Sequence, residues 1–203
     1  MKFNRPLEII FSAPSNVSVL RVLNERSIGI SGREVARLSG LSLRTAQVAL
    51  LNLENSGIVK RFSGNREHLF VIDRKNFFSG NLVEKIFQAE SEFRSGIFSA
   101  IKKEFNKNVE SIILFGSAVR GNDTINSDLD ICLVYKKDKK VLEEKASLIR
   151  SKLYEIYRIT FAPVYFPVGR FREMAARKEN LVKEILKEGQ VIHGKSLARI
   201  LNG

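Results

Sequence analysis

Two aspartates in the segment DLD, Asp128 and Asp130, have the spacing of a metal site. They lie in an apolar run that predicts a β-strand over residues 128–135. Because side chains alternate between the two faces of a strand, both carboxylates are expected on the same face, only a few ångströms apart. Two negative charges so close repel each other, and a divalent cation relieves the repulsion. We therefore expect Asp128 and Asp130 to ligate Mg²⁺ or Mn²⁺.

A glycine-serine pair, Gly116 and Ser117, precedes these aspartates and supplies groups that suit phosphate. The apolar run over residues 111–115 predicts a buried strand that stops at this pair. Glycine lets the backbone approach a ligand closely, and the Ser117 hydroxyl with neighbouring N–H groups can hold terminal phosphates. Arg120 can add a cation to the same phosphates or to another anion. The segment therefore predicts a triphosphate pocket beside the metal.

The order Gly-Ser, ten residues and then Asp-x-Asp, between two apolar strands, resembles the DNA polymerase beta-like nucleotidyltransferase superfamily. The likeness extends over about residues 82–194, and the short module is similar to the minimal nucleotidyltransferase group. The residues that carry it are Gly116, Ser117, Arg120, Gly121, Ser127, Asp128 and Asp130. The resemblance implies a small mixed β-sheet with helices packed on it.

The same resemblance implies roles for these residues. Asp128 and Asp130 would be the catalytic, metal-ligating acids. The nucleoside triphosphate would be bound by four residues, Gly116, Ser117, Arg120 and Ser127. The implied reaction is in-line transfer of a nucleoside monophosphate to a hydroxyl of a protein, an RNA or a small molecule, with release of pyrophosphate.

A third carboxylate, which catalytic members of the superfamily usually take from a later strand, is missing from the expected place. The candidate strand spans residues 157–168 and contains no Asp or Glu; Ala162 and Pro163 stand where an acid is sought. Nearby acids lie in charge-rich, helix-like segments and are interpreted as solvated helix faces: Glu143, Glu144 and Glu173. The sequence therefore predicts nucleotide binding but leaves turnover without a general base.

The N-terminal part has the pattern of a winged helix-turn-helix domain. Helical patterns are followed by two β-type runs joined by SGNR, and these segments cover residues 15–26, 31–40, 42–56, 58–62 and 67–73. Ser31 and Glu34 form a capping-box pattern, and Gly40 can end the short helix that they open. Three helices followed by a β-hairpin are the order of a winged helix-turn-helix domain. Residues 31–73, which hold the second and third helices and the hairpin, resemble the DNA-binding domains of bacterial and archaeal winged-helix regulators.

This resemblance implies that the helix over residues 42–56 lies in the DNA major groove. Residues near its start, Arg44, Thr45 and Gln47, would reach base edges. Residues of the wing, Lys60, Arg61 and Arg66, would contact phosphates. Dimerisation and RNA binding remain alternatives, because a fold does not fix its function.

Composition and charge agree with a globular protein that meets a polyanion. The chain has 203 residues, with 34 Lys+Arg against 22 Asp+Glu and a formal charge of +12. Cys132 is the only cysteine and lies in an apolar run, so it is interpreted as a small buried hydrophobe rather than a nucleophile. Without a long apolar run or a secretory pattern, we expect a cytoplasmic protein with no membrane partner.

We therefore predict an α+β protein with a winged helix-turn-helix domain at residues 1–78 and a nucleotidyltransferase-like domain at residues 79–203. Three functions stay open: a nucleotidyltransferase recruited or regulated by its winged helix, a DNA-binding regulator that senses a nucleotide without reacting, and an antitoxin-like partner of a small helical toxin. Because winged-helix proteins commonly pair on DNA, a homodimer is expected.

Overall fold

The computed structural model describes residues 4–64 and 67–202 of the chain. It divides into two compact units, Met1–Glu92 and Phe93–Gly203. These limits fall inside one long helix, so the predicted domain boundary between residues 78 and 79 stays a prediction. The predicted α+β class is confirmed, with helices and a separate β-sheet in each unit. Within the described residues, no helix is long and apolar enough to cross a lipid bilayer.

The first unit is a winged helix-turn-helix arrangement, as the sequence predicts. Its elements are α1 (Leu7–Ile10), α2 (Pro14–Asn24), β1 (Ile30–Ser31), α3 (Gly32–Ser39), α4 (Leu43–Asn55), β2 (Val59–Ser63) and β3 (His68–Ile72). The strands form an antiparallel sheet in the order β1-β3-β2. A π-helical turn, Ser79–Val83, then leads into α5 (Glu84–Phe105). The short elements α1 and β1 were not predicted.

Local signals explain why α3 and α4 begin and end where they do. The Ser31 and Ser42 hydroxyls accept hydrogen bonds from backbone N–H groups in the first turns of α3 and α4. Gly40 ends α3 in the left-handed conformation, at φ +68°. The predicted capping box is half formed, because the Glu34 carboxylate pairs with Arg37 instead of the Ser31 backbone. Buried residues of α2, α3 and α4 form the core together with Ile58, Val59 and Ile72.

The second unit is a four-stranded mixed sheet covered by helices. After the end of α5 come β4 (Ser111–Leu114), α6 (Ser117–Arg120), β5 (Leu129–Tyr135), α7 (Lys139–Tyr157), β6 (Phe161–Pro167), α8 (Val168–Ala176), α9 (Asn180–Glu188), β7 (Gln190–Gly194) and α10 (Leu197–Asn202). The strand order is β6-β5-β4-β7. Strand β5 pairs with β6 in parallel, whereas β4 pairs antiparallel with β5 and β7.

Alternation along β5 divides the second unit into two apolar layers. Leu129, Ile131 and Leu133 pack against residues of α5 and α7 on the first face of the sheet. Cys132 and Val134 pack against residues of α8, α9 and α10 on the second face. By this alternation Asp130 belongs to the second face, at the beginning of the strand. The sheet therefore directs the acidic pair toward the side where α9 lies.

Cys132 is buried, as the sequence interpretation held. Its side chain has no exposed area, and burial raises the pKa of the thiol to about 12. A thiol with such a pKa stays protonated at neutral pH and is a poor nucleophile. Cys132 is therefore part of the core.

The C-terminal helical segment of the second unit is divided into α8 and α9. The backbone N–H groups of Lys178 and Glu179 donate to the carbonyls of Ala175 and Met174, which ends α8. Lys178 takes the left-handed conformation at φ +55°, a position that glycine usually occupies. Because a lysine and not a glycine takes this conformation, the residue type does not mark the break.

Candidate functional site

The turn after β4 brings the backbone of Gly116 against the side chain of Asp130. Gly116 has φ +76° and ψ −153°, a conformation that residues with a Cβ atom rarely adopt. A Cβ atom built there would lie 2.2 Å from Oδ2 of Asp130. The Phe115 N–H donates to the Asp130 carbonyl at 3.1 Å, which fixes the turn against β5. Glycine is therefore required at this position, and the turn and the carboxylate form one unit.

Asp128 and Asp130 interact electrostatically, and their role as metal ligands stays a prediction. Asp128 is exposed and directly precedes β5, whereas Asp130 is half-buried near its start. The pKa of Asp130 is raised, first because burial desolvates the carboxylate and then because Asp128 and Glu184 place negative charge near it. The positive charge of Arg120 opposes this shift. The site thus carries negative charge that a cation would neutralise.

Arg120 already has carboxylate partners. Its guanidinium donates to Glu184 of α9 at 2.7 Å and also to Glu188 one turn later. The contact of Arg120 with phosphates stays a prediction. To make this contact, the guanidinium would have to share or exchange its hydrogen bonds to Glu184 and Glu188. The position of Glu184 beside the site was not predicted, because only the long-range packing of α9 brings it there.

The two serines of the predicted pocket have different surroundings. Ser117 is partly exposed at the start of α6, directly after the Gly116 turn. The Ser127 hydroxyl instead accepts the Thr124 N–H at 2.9 Å, and the Ser127 N–H donates to the Thr124 carbonyl at 3.0 Å. Ser127 therefore shapes the loop before Asp128. Its predicted contact with a nucleotide stays a prediction.

The place beside Asp130 on the neighbouring strand is occupied by Ala162. The two residues are register partners in the parallel pair of β5 and β6, so their side chains lie on the same face. Of the acids interpreted as helix faces, Glu143 pairs with Lys139 and Glu173 with Arg170 and Arg177. Across residues 4–64 and 67–202, no three His, Cys, Asp or Glu side chains are grouped to hold a metal.

Two carboxylates nevertheless fit one mode of metal binding. Mg²⁺ is commonly held by one or two carboxylates together with phosphate oxygens of the substrate. The raised pKa of Asp130 shows that its ionised form is penalised by burial and by Asp128. The donor set therefore suits a cation that arrives with a phosphate ligand, rather than one held by protein alone.

The predicted DNA-contacting residues are partly engaged within the protein. Arg44, Thr45 and Gln47 are exposed on α4, with the Thr45 hydroxyl 2.8 Å from that of Ser42. On the wing, Lys60 pairs with Asp73 at 2.9 Å, and Arg61 pairs with Glu54 at 3.1 Å. Arg66 lies outside the described residues. All these contacts to DNA stay predictions.

Comparisons with known families give one match, which lies within the second unit. A family model described as "Polymerase beta, Nucleotidyltransferase" matches residues 99–197. No curated protein matches the sequence.

Three solved structures resemble part of the chain, each at a low TM-score. A homodimeric winged helix-turn-helix DNA-binding domain from Mycobacterium bovis, a possible ArsR-family regulator, is 15% identical, with 45% of this chain and 90% of that chain covered and a TM-score of 0.36. A possible transcriptional regulator from Methanosarcina mazei Go1 is 20% identical, with coverages of 47% and 84% and a TM-score of 0.34. A toxin-antitoxin structure with AMP-PNP is 20% identical, with coverages of 51% and 80% and a TM-score of 0.36.

Replacing Gly116 by alanine tests the contact between the turn and Asp130. Gly116→Ala should lower the free energy of unfolding by about 2–3 kcal/mol, because it combines backbone strain with a clash against the carboxylate. Gly121→Ala is the matched control, since Gly121 also has positive φ but an added Cβ meets nothing within 4 Å. It should cost about 1 kcal/mol. Urea unfolding measures both, and equal losses would contradict the proposed clash.

The raised pKa of Asp130 predicts a pH-dependent gain from Asp130→Asn. The folded protein holds the Asp130 proton more tightly than the unfolded chain, whose carboxyl has its ordinary pKa of 3.8. Protonated Asp130 therefore stabilises the folded protein. This contribution is fully present below the pKa of the unfolded chain and is lost as pH rises through the pKa of Asp130 in the folded protein. Asp130→Asn should therefore be more stable than wild type at pH 7, with the advantage shrinking toward pH 4. Thermal unfolding between pH 4 and pH 7 measures this gain, with the exposed Asp123→Asn as control. Equal unfolding temperatures of Asp130→Asn and wild type at pH 7 would refute the account.

Proposed function

Residues 99–197 match the polymerase beta nucleotidyltransferase family model, and from this match we propose that the chain binds a nucleoside triphosphate with Mg²⁺ or Mn²⁺. The observation that carries the proposal is the contact between the Gly116 turn and Asp130. It sets a tight turn, the partly exposed Ser117 and an acidic pair side by side. These are the groups that a triphosphate and its metal require.

Each residue of the pocket has a distinct part in this binding. Asp128 and Asp130 would hold the metal, which would screen the negative charge of the phosphates and polarise them. Gly116 leaves room for the ligand to approach the backbone. The Ser117 hydroxyl donates a hydrogen bond to a phosphate oxygen. Arg120, shared with Glu184 and Glu188, adds positive charge at the edge of the pocket.

Binding without efficient transfer is the function that this residue set supports best. Ala162 lies beside Asp130 with a methyl group only, so this position offers no base for an attacking hydroxyl. The pair Asp128 and Asp130 supports transfer as the second candidate, with a nucleoside monophosphate passing to a hydroxyl and pyrophosphate leaving. In that case the acceptor itself, or a partner, would have to supply the base.

The winged helix-turn-helix unit is the part of the chain that would respond to nucleotide binding. We propose that α4 contacts duplex DNA through Arg44 and Gln47 and that nucleotide occupancy of the second unit changes the affinity for DNA. The start of α4 supports contact with DNA, because Arg44 is exposed there and has no carboxylate partner within residues 4–64 and 67–202. The chain would then act, as a homodimer, as a nucleotide-responsive DNA-binding regulator.

Nucleotide titration tests the pocket directly. Isothermal titration of the full chain with ATP, GTP, CTP and UTP should show at least one nucleotide binding in the presence of Mg²⁺. Asp128→Ala and Asp130→Ala should each weaken that binding at least about tenfold, which corresponds to about 1.4 kcal/mol. Asp123→Ala, an exposed acid of the same loop, is the matched control and should bind as wild type does.

Two results of this titration would count against the proposal. One is the absence of binding for all four nucleotides with either Mg²⁺ or Mn²⁺. The other is equal loss in the Asp128, Asp130 and Asp123 variants, because the effect would then come from net charge. Pyrophosphate release measured in the same samples separates binding from transfer.

Binding of DNA is tested by one arginine. Arg44→Ala should weaken binding to a selected DNA site about tenfold, because a side chain at the start of α4 reaches the base edges. Arg26→Ala removes another exposed arginine of the same unit and should change the affinity little. Mobility shifts at stated salt concentration measure both. Equal affinity of Arg44→Ala and wild type would contradict the proposed use of α4.

A further inference from the structure

A cluster of positive charge lies at the end of the four-stranded sheet opposite to Asp130. Strand β4 begins where β5 ends, since Ser111 pairs with Val134. The end of α5 and the beginning of α7 meet at the same place, because the Lys145 ammonium donates to the Glu104 carbonyl at 2.7 Å. The segments 102–107 and 136–140 are therefore neighbours. By strand length they lie roughly 17 Å from Asp130.

Lysines dominate this end of the sheet. Some of them are paired: Lys136 and Lys195 with Glu110, Lys139 with Glu143, and Lys145 with Glu104. The Asp138 carboxylate accepts the backbone N–H groups of Lys140 and Val141 and caps α7. Five exposed lysines have no carboxylate partner within residues 4–64 and 67–202: Lys102, Lys103, Lys107, Lys137 and Lys140. We name these five the lysine rim.

The surroundings of the lysine rim indicate the chemistry of its ligand. The neighbouring aromatic side chains Phe105 and Tyr135 are buried, so they cannot stack on the bases of a single strand. The Tyr165 ring lies under the Lys139 ammonium, 5.5 Å from its centroid. The adjoining residues Asn106 and Asp138 are exposed and polar, which does not suit insertion into lipid. Exposed ammonium groups on a polar surface fit a row of phosphates.

We propose that the lysine rim binds the phosphate backbone of duplex DNA without reading its sequence. Lysines supply positive point charges, and phosphate contacts of this kind release counterions and give affinity that depends on salt. The second unit would thus contribute its own DNA contact, separate from the pocket at Asp130. The inference does not depend on nucleotide binding, and it uses different residues from the winged helix.

The test compares two triple variants of the full chain. Lys102→Gln/Lys107→Gln/Lys137→Gln removes three charges from the lysine rim. Lys152→Gln/Lys178→Gln/Lys183→Gln removes three exposed charges elsewhere in the same unit. Fluorescence anisotropy with a duplex of random sequence is recorded over a range of NaCl concentrations. The rim variant should bind at least about tenfold more weakly at low salt, and its log–log salt slope should fall by about 2.7, from about 0.9 per phosphate contact.

The outcomes separate this proposal from the one for the winged helix. A rim variant with wild-type slope overturns the proposal, and so does an equal loss in the control variant. If Arg44→Ala weakens binding while the rim variant does not, the lysine rim alone is refuted. If wild type binds no duplex at low salt, both DNA proposals fail. A single-stranded RNA that binds more tightly, and loses affinity in the rim variant, also overturns the assignment to duplex DNA. Matching thermal unfolding temperatures show that each variant is folded.

Discussion

The backbone of Gly116 passes so close to the Asp130 carboxylate that a methyl group would not fit between them. This contact joins the end of β4, the start of α6 and the beginning of β5 at one point. The hydrogen bond from Phe115 to the Asp130 carbonyl holds the same turn from the other side. Ser117 and the acidic pair keep their relative positions because this turn cannot shift without moving the carboxylate.

The contact has an electrostatic cost that the fold does not remove. Asp130 is partly desolvated and lies near the charges of Asp128 and Glu184, and its pKa is raised accordingly. Arg120 offsets some of this charge but is held by Glu184 and Glu188. A partly buried acid that destabilises its own fold is typical of a binding site, where a ligand supplies the missing opposite charge. The polymerase beta family match at residues 99–197 agrees with a phosphate-bound cation as that ligand.

Much of the fold follows from local signals in the sequence. Helices α3 and α4 have serine caps and a terminal glycine, so their limits were predicted within a few residues. The strands around Asp130 were predicted from alternation and from the Gly-Ser turn. Strand β1 could not be found this way, since its two residues form a strand only by pairing with Phe70 and Leu69 of β3. The end of α8 carries no comparable signal, because Lys178 occupies a position that glycine normally marks.

The limits of the site prediction have the same physical origin. Spacing along one strand suffices to place Asp128 beside Asp130, and the absence of an acid in β6 is visible in the sequence. The register that puts Ala162 beside Asp130, and the packing that brings Glu184 to Arg120, depend on residues distant in sequence. Such long-range pairs require the folded structure.

We propose that Asp128 and Asp130 form a two-carboxylate metal site in which Ala162 occupies the place of a third ligand. This site is tested by Mn²⁺ binding, measured by electron paramagnetic resonance with a non-hydrolysable nucleoside triphosphate. We expect wild type to bind Mn²⁺, Asp130→Asn to lose it, and Ala162→Asp to bind at least about tenfold more tightly, since a third carboxylate adds a ligand. The control Ala162→Asn, whose side chain has the size of aspartate but no charge, should gain much less affinity for Mn²⁺. Equal Mn²⁺ affinity in wild type, Asp130→Asn and Ala162→Asp would contradict the account.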